Sequence, residues 1–130
     1  MQTGSLSYPV SRRVSSFAET LRKVNDRMLT DTLSDRSLGR EIALIINEVL
    51  RLDADRVPFI RIGGEDKPTD EVQSVYCLFE REHAELVIEQ VKKIQTPIKF
   101  KKAYIRTMVY NSVFEIETHY QLMVNAEFGG

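Results

Sequence analysis

An α+β domain is the fold class that the sequence predicts, with two N-terminal helices, a β-hairpin and a further helix ahead of a long C-terminal antiparallel β-hairpin. Three patterns predict it: apolar residues at helical spacing in the first 50 positions, the same spacing after position 80, and alternating apolar and polar residues near the C-terminus. We expect the strands to form one sheet against which the helices pack. A length of 130 residues with 42% hydrophobic residues is typical of one globular domain.

The first helix is predicted from a narrow apolar stripe. Residues 1–10 contain glycine, serine and proline without periodicity, so we expect a flexible arm there and a single domain over 11–130. Spacings of three and four then place five apolar residues on one helical face, namely Val14, Phe17, Leu21, Val24 and Met28. A stripe this narrow is also the pattern of a coiled coil, but two heptads are too few to predict one.

Two more helices follow from capping residues and apolar spacing. In the turn at 30–35, Ser34 or Asp35 can accept hydrogen bonds from the free N–H groups of a second helix. That helix is predicted to be the main core helix, because its stripe is broader: Leu38, Ile42, Ile45, Ile46, Val49 and Leu50. A third helix is predicted from Ala84, Val87, Ile88, Val91 and Ile94, with Thr96-Pro97 ending it.

A first hairpin is predicted between the second and third helices. Residues 57–62 have strand composition, and Pro58 favours an edge position. Residues 63–68 are predicted to be a loop. The apolar run within 72–79 predicts a second strand that is buried on both faces.

The C-terminal hairpin is predicted from strict alternation. From 114 to 128 every even position is apolar, small or threonine, while the odd positions from 115 are mostly polar. Residues 98–110 also have strand composition, and Asn111-Ser112 fits a tight turn between the two strands. Pairing Tyr110 with Val113 brings the two apolar faces together, whereas a slip of one residue would separate them.

The length of this hairpin has a consequence for the predicted domain. A strand over 113–128 would be about 50 Å long at ~3.3 Å per residue, which is more than so small a domain can cover. We therefore expect a β-bulge near 100–103, or a projecting strand that pairs with a partner. In the same register Arg106 lies opposite Glu117.

Composition and charge exclude several classes of protein. A net charge of −1 and a pI near 6.1 provide no overall attraction for nucleic acids or membranes. Cys77 is the only cysteine, so an internal disulfide is excluded and a reducing compartment fits. The N-terminus lacks the apolar segment of a signal peptide, and no apolar run approaches the ~20 residues that span a bilayer. We expect a cytoplasmic protein or a virion component with no membrane partner.

The candidate catalytic and metal-binding residues all have simpler explanations. Gly63-Gly64 lacks the lysine and spaced glycines of a phosphate loop, and is predicted to be a turn. Cys77 lies within an apolar run, which predicts a buried, inert thiol. Glu115, Glu117 and His119 alternate along a predicted strand at about 7 Å intervals, too far apart to share one ion without a bend. We therefore predict no enzyme, no metal, no cofactor and no small-molecule substrate.

A basic cluster is the strongest candidate binding site. Between Glu89 and Glu115 six cations occur without an acidic residue, and the candidate residues are Lys92, Lys93, Lys99, Lys101, Lys102, Tyr104 and Arg106. A positive patch with aromatic residues on a sheet is typical of RNA-binding modules. An acidic protein surface would fit the patch equally well, and cations also stabilise the end of a helix.

The predicted order of elements resembles two families. From Arg40 to Phe128, with a proline near the start of a strand (Val57-Pro58-Phe59-Ile60), the order is similar to that of phage neck and tail proteins, especially tail terminators. This resemblance implies a ring-forming structural protein, although a helix at 12–30 and a strand at 72–79 depart from the pattern. A fainter resemblance, carried by the helix at 40–46, is to the ribosome-binding factor A family. It implies RNA binding through a KH-like sheet, from which the order departs after the third helix.

The function predicted from these features is that of a non-catalytic assembly protein. Its hairpin edges, arm and helix stripe are surfaces on which another chain can dock, so we expect protein partners and a homo-oligomer. The alternative is an RNA- or DNA-binding module that uses the basic cluster.

Overall fold

The computed structural model describes the backbone of residues 3–124 and the side chains of residues 16–117. Its elements in chain order are α1 (Thr3–Met28), a 3-10 helix (Thr30–Thr32), α2 (Arg36–Leu50), β1 (Phe59–Ile62), β2 (Glu65–Pro68), α3 (Thr69–Tyr76), α4 (Arg81–Lys92) and α5 (Lys101–Val124). The predicted α+β class is confirmed. Within the described residues, however, it consists of five α-helices, the short 3-10 helix and one antiparallel sheet of two strands.

Helix α1 confirms the first predicted helix. Val24 and Met28 are buried in the core, and Leu21 is partly buried against it. Phe17 is less covered, and the Arg51 guanidinium lies over its ring at 5.4 Å from the centroid. Helix α1 begins at Thr3, inside the segment that we expected to be an arm. The side chains of this segment lie outside the described part, so the boundary at residue 10 stays a prediction.

Leu29, the residue that follows α1, has an unfavourable backbone conformation. Leu29 has φ 50° and ψ 51°, which is the left-handed helical region. Its N–H donates to the carbonyl of Asp26 at 3.2 Å, and its side chain is 53% exposed. A residue with a Cβ atom in this region destabilises the fold by roughly 1–2 kcal/mol. Because the Leu29 side chain is largely exposed, its burial offsets little of this penalty.

We expect Leu29→Gly to stabilise the protein by about 1 kcal/mol, because glycine adopts this conformation without a steric penalty. The measurement is the midpoint of urea unfolding. Leu29→Ala is the matched control, since it removes the exposed side chain but keeps the Cβ atom. Equal midpoints for the two variants would contradict the explanation.

Helix α2 is the central core helix, as predicted. Asp35 is its N-cap and accepts a hydrogen bond from the Leu38 N–H at 3.0 Å. Five of the six predicted stripe residues are buried, namely Leu38, Ile42, Ile45, Ile46 and Val49, while Leu50 is partly buried. At Gly39 a Cβ atom would lie 2.6 Å from Leu33 Cδ1, so glycine allows the close approach of α2 to the preceding turn.

The predicted first hairpin is only partly correct. Strand β1 pairs antiparallel with β2 through a two-residue turn, Gly63-Gly64, in which both φ angles are positive. The predicted strand over 72–79 is wrong: this segment belongs to α3 and the turn after it. Its buried side chains, Val72, Tyr76 and Phe79, are spaced by four and three residues, which is a helical period.

The predicted long C-terminal hairpin is wrong, since α5 occupies this region. Among its described side chains, up to residue 117, α5 buries Ile105, Met108, Val109, Tyr110, Ser112 and Val113. Most of them recur at i, i+3, i+4, i+7 and i+8, which is one face of a helix. The predicted strand pairs and the bulge near 100–103 are lost with the hairpin, while residues 125–128 lie outside the described part. Helix α5 packs on α4, α3, α2 and β1.

Two of the hydrogen bonds that attach α5 to the rest of the domain are made by Arg106 and Thr107. The buried Tyr76 hydroxyl donates to the Arg106 carbonyl at 2.8 Å, and burial raises the pKa of this phenol. The Gly63 N–H at the hairpin turn donates to Thr107 Oγ1 at 3.0 Å. The candidate residues at the start of α5 are therefore held in a fixed position. Over the described residues, no helix is long and apolar enough to cross a membrane.

Candidate interaction surface

The structure distributes the predicted basic cluster over two helices and the connection between them. Lys92 ends α4 and Lys93 follows it, Lys99 precedes α5, and Lys101, Lys102, Tyr104 and Arg106 lie in the first two turns of α5. The sheet on which an RNA-binding patch was expected does not contain these residues, because β1 and β2 lie earlier in the chain.

Most of these cations contact carboxylates of the same chain. The N–O distances are 3.5 Å for Lys92–Asp35, 3.0 Å for Lys93–Glu89, 3.1 Å for Lys101–Glu41 and 2.6 Å for Lys102–Glu48, and Arg106 also pairs with Glu48. Lys99 lies over the Phe100 ring, 5.5 Å from its centroid. The cluster therefore offers less positive charge to a ligand than its sequence indicates.

Glu48 is the centre of the contact between α5 and α2. It receives hydrogen bonds from Lys102 and Arg106, while Glu41, two helical turns earlier on the same face of α2, receives one from Lys101. Partial burial raises the pKa of the Glu48 carboxyl, but the two cations outweigh it and hold the pKa below its usual value. These pairs orient the start of α5. The side chains are partly exposed, so each pair adds only ~0–1 kcal/mol of stability.

The outer side of α5 carries exposed aromatic side chains. Phe100, Tyr104 and Phe114 are 70%, 44% and 50% exposed. Phe100 precedes the helix but continues its geometry, because its carbonyl accepts the Tyr104 N–H at 3.0 Å. Separations of four and ten residues place all three within about 80° of one another around the helix. We call these three residues the aromatic face of α5.

Only part of the aromatic face was found by sequence reasoning. Tyr104 is among the predicted candidate residues, whereas the alternation from position 114 predicts that Phe114 lies on the apolar face of a strand. The helical spacing of residues 105, 109 and 113 was the signal that would have placed Phe114 on the outside. The carboxylates of Glu41 and Glu48 were also missed as partners of the basic cluster.

Cys77 is exposed, which corrects the prediction of a buried thiol. It follows the last residue of α3 and lies on the wall of a groove between α1, α2 and α3, with a volume of about 340 Å³. The groove is lined largely by apolar side chains, with Lys23 and Arg27 among its residues. Its lining residues come from three helices that are distant in the chain, so no local sequence pattern indicates the groove.

Of the three residues considered and rejected as metal ligands, Glu115 and Glu117 lie among the described side chains. Among the described side chains, no group of three or more histidine, cysteine, aspartate or glutamate residues could hold a metal ion. Glu115 accepts a hydrogen bond from Gln90 at 3.0 Å, Glu117 is exposed, and the His119 side chain lies outside the described part.

His83 is a buried structural histidine at the start of α4. Its Nδ1 atom accepts the Glu80 backbone N–H at 2.8 Å, and its ring lies 5.6 Å from that of Phe79. Burial lowers the pKa of the imidazole, although the charges of Glu82 and Glu80 partly oppose this. A protonated ring could not accept this hydrogen bond, because both of its nitrogens would be donors.

We therefore expect stability to decrease as the pH falls below about 6.5, the pKa of an unfolded histidine. The folded state favours neutral His83, so its contribution is complete above that pH and is lost as the pH falls toward the lowered folded pKa. One proton limits the slope to ~1.4 kcal/mol per pH unit. Urea unfolding at several pH values measures it.

His83→Gln is the control for this pH dependence, since its side-chain carbonyl can accept the same N–H without titrating. The pKa values of the Asp35 and Glu48 carboxyls are lowered, so protonation of these groups reduces the stability only at lower pH. An identical slope near pH 6 in both proteins would exclude His83 as its origin.

Comparison with known proteins places the chain in a family. Residues 14–129 match DUF6017, a family of unknown function. No curated protein and no solved structure matches the chain. The match covers α2 to α5 and most of α1, and so includes the aromatic face and the groove. The chain belongs to the DUF6017 family.

Proposed function

We propose that this chain is a non-catalytic assembly protein that acts through protein–protein contacts and forms homo-oligomers. The observation that supports the proposal is the aromatic face of α5, where Phe100, Tyr104 and Phe114 are exposed along one side of a helix. Aromatic residues are enriched in protein interfaces, and apolar side chains spaced along one side of a helix are a common way to anchor a partner.

The arrangement beneath the aromatic face also supports this proposal. Helix α5 is attached to α2 by the ion pairs of Lys101, Lys102 and Arg106, and to α3 by the Tyr76 hydroxyl. A surface that is already ordered loses less conformational entropy when a partner binds. The basic cluster thus contributes indirectly, by holding the helix that presents the aromatic side chains.

Nucleic-acid binding is the less supported alternative. Phosphate contacts require cations that can exchange their counterions for the ligand, whereas five of the six cations of the cluster already face carboxylates. A more specific role as a phage neck or tail component depended on a closing hairpin. Since α5 occupies that region, the proposal is restricted to assembly, and a cytoplasmic or virion location stays a prediction.

The test replaces the aromatic face and measures the molar mass by light scattering. We expect the wild-type mass to exceed the 15.0 kDa of one chain, and the triple variant Phe100→Ser, Tyr104→Ser, Phe114→Ser to return to it. Leu44→Ser is the matched control, because Leu44 is 48% exposed on α2. A wild-type monomer that binds no protein partner but is retained on a nucleic-acid column would contradict the proposal and support the alternative.

A further inference from the structure

The groove between α1, α2 and α3 has an apolar interior. Val24, Ile46 and Phe79 contribute to its wall from three different parts of the chain. The Tyr76 ring also lines the groove, but its hydroxyl hydrogen is already donated to the Arg106 carbonyl on α5. This wall therefore offers a ligand apolar contact and not a hydrogen bond from the phenol.

The α1 side of the groove is basic. The residues that α1 contributes recur at i, i+3, i+4 and i+7, which is one helical face, and they are Thr20, Lys23, Val24 and Arg27. The stems of lysine and arginine can lie along an apolar wall while their charged groups stay at its edge. None of the nine described residues that line the groove is acidic. By contrast, three other concavities of the described surface each include at least one aspartate or glutamate.

The two cations at the edge of the groove are weakly paired within the chain. Lys23 pairs with Glu19 at 3.8 Å, and both side chains are more than half exposed. An exposed pair of this kind contributes little, so a ligand can replace it. The other ion pair described on α1 joins Arg22 to Asp26, and so does not include Arg27. The groove therefore has two positive charges with which an anionic group can pair.

An apolar wall beside two cations fits a ligand with an apolar chain and one terminal carboxylate. A guanidinium binds a carboxylate through two parallel hydrogen bonds, and an ammonium binds it as a point charge. The volume of about 340 Å³ lies at the lower end of the ~300–1,000 Å³ range of ligand pockets, which favours a chain of medium length. A helix of another protein is ~10 Å across or more, so it could not enter a groove of this size.

We infer that the groove binds a free, unbranched medium-chain alkanoate, as a ligand and not as a substrate. The chain lies along Ile46, Leu50 and Phe79. The carboxylate faces Lys23 and Arg27. None of the described lining residues belongs to α5, so this site is separate from the aromatic face and the inference does not depend on the proposed self-association.

Labelling of Cys77 reports whether the groove is occupied, because this only cysteine is exposed and lies on the groove wall. With the wild-type chain and an excess of a neutral maleimide, we expect octanoate to slow labelling about tenfold when its concentration exceeds its Kd tenfold. Octan-1-ol and octylammonium have the same chain without the carboxylate, and each should need a concentration about tenfold higher or more. Equal protection by octanoate and octylammonium would contradict the assigned contact with the two cations.

Charge removal tests the same site by titration calorimetry. We expect Lys23→Gln with Arg27→Gln to weaken octanoate binding about tenfold and to leave octan-1-ol binding unchanged. Arg22→Gln with Arg40→Gln is the matched control, since it removes two charges outside the groove lining, and circular dichroism checks that both variants are folded. Equal losses in the two double variants would show that only net charge matters, which would overturn the site.

Absence of any protection of wild-type Cys77 by octanoate would also overturn the inference. If labelling then slows as the protein concentration rises, a second copy of the chain covers the groove, and the proposed self-association stands without the ligand. Protection by octanoate in a chain that stays monomeric at every concentration would support the ligand site and contradict the proposed self-association instead.

Discussion

Asn111→Pro should destabilise the protein by about 3 kcal/mol or more, which is the largest effect that we expect from an exposed position. Asn111 lies in the middle of α5, where proline removes a backbone hydrogen bond and its ring collides with the preceding turn. The alternation in the sequence predicts a hairpin turn at this position. In such a turn proline would reduce the stability far less. Urea unfolding followed by circular dichroism measures the loss.

Asn111→Ala is the matched control for this substitution. Alanine favours a helix, so it should be neutral or slightly stabilising at an exposed helical position. If the proline variant unfolds within about 0.5 kcal/mol of wild type, α5 is not a continuous helix in solution, and the aromatic face does not exist as described.

Ile42→Ala should cost about 2–5 kcal/mol, because Ile42 is fully buried at the centre of α2 and its truncation leaves a cavity. The total stability of a domain is ~5–15 kcal/mol, so this single change removes a large part of it. The measurement is again the free energy of unfolding in urea.

Leu44→Ala, two residues further along α2, is the control for Ile42→Ala. Leu44 is exposed, so its truncation should change stability by less than about 0.5 kcal/mol. Similar losses at the two positions would show that α2 buries a different face from the one described.

The helices that sequence reasoning found correctly are those whose period has one interpretation. In α2 the apolar stripe from Leu38 to Val49 follows helical spacing, and Asp35 supplies the cap at the position where the pattern begins. The same is true of α4, where Ala84, Val87 and Ile88 are buried. The physical reason is that a stripe three and four residues apart can cover a core only as a helix.

Helix α5 was missed because its sequence satisfies two periods. Residues 114–128 alternate as a strand would, yet Ile105, Val109 and Val113 recur every four residues and are the side chains that the fold buries. Alternation near the C-terminus was therefore a weaker signal than the spacing of the segment before it. The prediction of a strand over 72–79 was wrong for the same reason. Only the spacing of the buried residues shows that this segment is helical, and an unbroken apolar run hides that spacing.

The state of the basic cluster could not be predicted from local sequence. Lys101 and Glu41 are 60 residues apart in the chain, and Lys102 and Glu48 are 54 apart. Their pairing depends on the docking of α5 on α2, a tertiary contact that no local pattern reports. A run of cations without a nearby acid therefore did not predict free positive charge, and the exposed apolar side chains of α5 became the stronger candidate surface.

The central claim is that the aromatic face of α5 mediates self-association, and sedimentation velocity across a wide concentration range tests it most directly. We predict that the wild-type mass rises with concentration from 15.0 kDa toward that of an oligomer, and that Phe114→Ser alone shifts the rise to higher concentration. A mass that stays at 15.0 kDa over the whole range, or a rise that Phe114→Ser leaves unchanged, would contradict the account.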